Sequence, residues 1–127
     1  MNERSSVINI GGKEYELVLT TRATKEIAKR YGGLSDLGDK LMQADNFEKA
    51  IDEVTYLICL LANQGVEIHN LRYPDDKREP LTAELVELMT SPYDLAQYKD
   101  AIMQAMYKGT KREIESEDTG SKNTQVG

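Results

Sequence analysis

An α+β architecture, predominantly helical, is expected from this chain: an N-terminal two-stranded β-hairpin packed on a bundle of four to five helices, with a disordered C-terminal tail. Apolar and polar residues alternate on either side of Gly11-Gly12, and apolar stripes at helical spacing, each bounded by cap or turn residues, follow as far as Gly109. Beyond Gly109 only Ile114 and Val126 are sizeable and apolar, too few to offset the entropy of ordering. With 127 residues the chain has the size of one domain, so 1–109 reads as a single globular unit and 110–127 as a flexible tail.

The hairpin is expected over 6–19. Ile8 and Ile10 alternate with Asn9, and Tyr15, Leu17 and Leu19 alternate with Glu14 and Glu16. Consecutive glycines take the positive φ angles of a tight primed turn. A helix over about 21–31 follows, capped by Thr20 or Thr21, with Ala23, Ile27, Ala28 and Tyr31 inward and Gly32-Gly33 as a left-handed stop. Leu34, Leu37 and Leu41 suggest a short helix over 35–42. The main helix is placed at 47–64, roughly 27 Å long, with Asn46 as N-cap and Gly65 just past its end. Its stripe runs Phe47, Ile51, Val54, Ile58 and Leu61, widened by Leu57 and Leu60.

From Val66 to Pro80 the periodicity lapses, and Tyr73-Pro74-Asp75-Asp76 carries turn chemistry, so a loop is expected there. A short helix at 82–90 has Thr82 as cap and Leu85, Val86, Leu88 and Met89 available for packing. The last helix, 92–108, opens with Ser91 and Asp94 in a capping-box arrangement around Pro92. Leu95, Tyr98, Ile102, Ala105 and Met106 form its inner stripe, with Ala96, Met103 and Tyr107 beside it and Gly109 as its stop.

Sixteen basic against twenty-two acidic residues leave a net charge of −6, the wrong sign for gripping a polyphosphate backbone, and no nucleic-acid motif is present. The longest strongly apolar run, Leu57 to Ala62, is far short of the roughly 20 residues that cross a bilayer. The N-terminus lacks the pattern of a secretory signal, which implies a cytoplasmic address. One Cys and one His supply neither a disulfide nor the usual zinc sites, so no metal and no cofactor is expected.

Catalytic residues are equally sparse. Cys59 lies in the most apolar turn of the main helix, where a thiol behaves as a small hydrophobe, and His69 falls in the expected loop. The pairs Asp52/Glu53 and Glu84/Glu87 read as solvated faces. Gly11-Gly12-Lys13 lacks the first glycine, the Ser/Thr and the following helix of a phosphate loop. Neither catalytic nor cofactor-binding residues are assigned, and the chain reads as a non-enzyme. Met103, Met106, Tyr98 and Tyr107 instead concentrate thioethers and amphipathic rings on the last helix, a composition suited to partner binding.

The segment from Val7 to Leu34 resembles the start of tail assembly chaperones from long-tailed, siphovirus-type bacteriophages of Gram-positive hosts, in which a Gly-Lys-x-Tyr-x-Leu hairpin leads into a helix ending at Tyr-Gly-Gly-Leu. The matching positions are Gly12, Lys13, Tyr15, Leu17, Ile27, Tyr31, Gly32, Gly33 and Leu34, with Leu37 after them, and the similarity covers about 7–41. These are turn, core and cap residues. The resemblance implies a chaperone that binds the tape-measure protein in the host cytoplasm, helps recruit tail-tube subunits, is absent from the mature virion and in some members also exists as a longer, frameshifted product. Ser121-Lys122-Asn123 is compatible with a slippery heptamer, which the codons would settle.

The partner-binding residues expected for that role are Met103, Tyr107 and Ala96, on a face that would also permit self-association. The alternatives are a structural or completion protein of the tail, a small Cys/His hydrolase built on Cys59 and His69, and an acidic decoy of nucleic acid.

Overall fold

A computed structural model describes residues 5–33, 37 and 47–122, with residue 5 and residues 111–122 as backbone alone. Strands β1 (Ser5–Ile10) and β2 (Lys13–Val18) form an antiparallel hairpin, and four helices follow among the described residues: α1 (Thr21–Tyr31), α2 (Phe47–Arg72), α3 (Ala83–Met89) and α4 (Pro92–Lys122). The expected α+β, mainly helical architecture is the observed one. Leu34 and Asn46 lie outside the described residues, as does the expected helix 35–42 except for Leu37, which is fully buried in the core.

The hairpin closes through Gly11 and Gly12 at φ 61° and 85°, with Ile10 opposite Lys13 and Ile8 opposite Tyr15. Residues directly opposite share a face, so Ser6, Ile8, Ile10 and Leu17 are buried while Val7, Asn9, Glu14 and Glu16 on the other side are exposed. The inner face lies on α4. There the Ser6 hydroxyl donates to the Ala101 carbonyl at 2.8 Å and the Tyr98 hydroxyl donates to the Asn9 carbonyl at 2.6 Å.

Helix α2 meets β2. Gly65, expected to end the helix, lies inside it without a positive φ, and a Cβ built there would stand 2.9 Å from the Glu16 carbonyl oxygen. The glycine is therefore a point of close approach. Val66 continues the buried stripe beyond it, and the helix runs 26 residues to Arg72, about 39 Å. At its other end Phe47 is 67% exposed instead of opening the stripe, which begins at half-buried Ile51.

Gly109 behaves in the same way. It lies within α4, where a Cβ would stand 2.8 Å from Leu19 Cδ2, and the backbone stays helical to Lys122 rather than stopping at 108. Propagation adds one hydrogen bond per residue, while the composition after Gly109 supplies almost nothing apolar with which that extension could join the core.

Helix α1 has the expected caps. The Thr20 hydroxyl accepts from Ala23 N at 3.0 Å and itself donates to the buried Gln64 amide oxygen, and Gly32 at φ 89° returns its N–H to the Ala28 carbonyl. Ala28, expected inward, is exposed; Ala23, Ile27 and Tyr31 suffice to bury the helix. Its last turn is clamped to α2: Arg30 donates to both carboxylate oxygens of Glu53 at 3.1 and 3.2 Å and covers the Tyr56 ring at 4.0 Å, and the Tyr31 hydroxyl also donates to Glu53. Partial burial alone would raise the Glu53 carboxyl, but these hydrogen bonds prevail and hold it below its ordinary value of 4.5.

The expected loop 66–80 shrinks to residues 73–82, and much of what remains is pinned. Asn63 exchanges two hydrogen bonds with the Leu81 backbone, at 2.8 and 2.7 Å, and Asn70, two turns on, does the same with Arg78 at 3.1 and 2.8 Å. Thr82 caps α3 and the Ser91–Asp94 capping box closes reciprocally at 2.9 and 3.2 Å. Of the apolar residues expected to pack from α3 only Val86 is buried; Leu85, Leu88 and Met89 are exposed, because a helix of seven residues presents one narrow face to the core.

Two outcomes follow from this packing. Gly65→Ala improves intrinsic helix propensity by about 1 kcal/mol, yet its contact with a backbone carbonyl makes the net effect destabilising by about 1 kcal/mol, lowering Tm by about 4 °C in thermal unfolding. Because the Glu53 carboxyl is depressed in the folded state, its stabilisation is complete at neutral pH and is lost as pH falls through that lowered value. Glu53→Gln therefore costs about 1–2 kcal/mol at pH 7, and the gap to the wild-type chain narrows below about pH 4 in denaturant titrations.

Candidate partner-binding surface

The residues that could carry covalent chemistry are kept apart. His69 is on α2, not in a loop, and ten residues from Cys59 on one helix is about 15 Å along the axis. The His69 Nε2 lies 2.8 Å from the Asp76 carbonyl and 3.5 Å from its carboxylate, and its ring rests 4.9 Å from Tyr73. Cys59 is half-buried against the core, and burial, with a smaller contribution from Glu87, pushes its thiol up to about 11, away from nucleophilic character. Glu53 is committed to Arg30 and Tyr31, and Glu84 and Glu87 are exposed. Among the described residues no group of three or more His, Cys, Asp or Glu is placed to hold a metal ion. No helix there is long and apolar enough to cross a membrane.

The residues carrying the family resemblance are structural. Gly12 makes the turn, Lys13 closes it opposite Ile10, Tyr15 is half-buried, Leu17, Ile27 and Tyr31 are core, and Gly32 and Gly33 end α1. Those among the described residues form the turn, part of the core and the stop of α1.

Surface is where the molecule offers something to bind. On α4 the buried stripe is the expected Leu95, Tyr98, Ile102, Ala105 and Met106. The opposite side carries Ala96, exposed, Met103 at 38% and Tyr107 at 62%. Two further residues, not among those expected from the sequence, share that side: Tyr93 at 72% exposure and exposed Asp100. The signal was present, since positions 93, 96, 100, 103 and 107 alternate steps of three and four, which places them on one helical face.

Two concavities flank the helices. A mainly apolar cleft of about 200 Å³ opens beside Ala96, between Phe47, Ile51 and Val54 of α2 and Pro92, Leu95 and Lys99 of α4. It is below the usual size of a small-molecule site and suited to a single side chain. A larger groove of about 510 Å³, between the exposed side of the hairpin and the end of α2, is lined by carboxylates of Glu14 and Glu16 and by Arg72 and Arg78. Its lining thus includes residues of both charge signs.

A thiol held at about 11 has about a hundredfold less thiolate at pH 8 than one at its ordinary 9.0. Ellman-reagent modification of Cys59 should accordingly be slow in the native chain and accelerate on unfolding in urea; an equal rate in both states would show an accessible, reactive thiol and reopen the hydrolase reading. Comparison with known proteins identifies no relative, since no protein-family model, curated protein or solved structure matches the chain.

Proposed function

We propose that this chain is a phage tail assembly chaperone that binds the tape-measure protein and helps recruit tail-tube subunits. The observation that carries the reading is the outward row of α4, with Ala96, Met103 and Tyr107 exposed on a helix whose opposite face is spent on the core. An adaptable thioether and an amphipathic ring on a rigid helix suit the cover of apolar stripes on a helical client. A net charge of −6 favours solubility of such a complex. The hairpin and capped helix that carry the family resemblance are both formed, which supports the same reading. Function here is reversible burial, in the host cytoplasm, with no bond made or broken.

Met103→Asp combined with Tyr107→Asp alters exposed positions, so the far-ultraviolet circular dichroism and Tm should change little. Co-purification with the tape-measure protein from cells expressing both should fall by about tenfold or more, since a carboxylate buried without a partner costs more than 1.4 kcal/mol. Undiminished recovery would remove this face from the contact. Mass spectrometry of purified virions separates the chaperone from a structural tail protein, because the chaperone is expected to be missing.

A further inference from the structure

We draw no further inference here: the strongest candidate, the groove of about 510 Å³ between the exposed side of the hairpin and the end of α2, is lined by exposed side chains of both charge signs, Glu14 and Glu16 with Arg72 and Arg78, and nothing in the structure shows what covers it.

Discussion

A two-stranded hairpin is marginal in water, and this molecule is organised around keeping one in place. Strand β2 comes against α2 at Gly65, where the helix has no side chain and the Glu16 carbonyl fills the space a Cβ would take. The segment leaving the hairpin meets α4 in the same way, with Leu19 against Gly109. On the β1 side, Ser6 and Tyr98 join strand and helix through hydrogen bonds across sequence separations of 95 and 89 residues. Two mid-helix glycines thus let two long helices approach the ribbon closely enough to bury Ile8, Ile10 and Leu17.

With the hairpin seated, the remaining contacts fix the connections. Asn63 and Asn70 stand two helical turns apart on α2, and each treats one residue of the following segment as a strand would, giving and taking one hydrogen bond. The Arg30–Glu53–Tyr31 group closes the end of α1 on α2, where a bidentate guanidinium, a phenol and the face of Tyr56 converge. Removing water from part of this group raises the cost of leaving any member unpaired. One polar atom, the Thr55 hydroxyl, is buried with no hydrogen-bond partner among the described residues, and nothing in the structure explains it.

This arrangement also decides which surface remains. Because α4 spends Leu95, Tyr98, Ile102, Ala105 and Met106 on the hairpin and α2, the helical repeat turns Tyr93, Ala96, Asp100, Met103 and Tyr107 to the outside. The outer row is thus a consequence of the inner one.

Local chemistry is enough to define the hairpin, its glycine turn, the Thr20 and Thr82 caps, the Ser91–Asp94 box and the inward stripe of α4, since each depends on residues within a few positions of one another. The same holds for three of the residues expected at a partner surface, Ala96, Met103 and Tyr107, which periodicity alone sets off the buried stripe. What tertiary packing decided is the meaning of Gly65 and Gly109, read from the chain as helix stops and found to be points of contact with Glu16 and Leu19. It also decided the exposure of Phe47, Leu88 and Ala28, the helical setting of His69 and the pinning of 73–82. A glycine has the same conformational freedom at a helix end and under a crossing strand, so only the neighbour that arrives from elsewhere in the chain distinguishes the two.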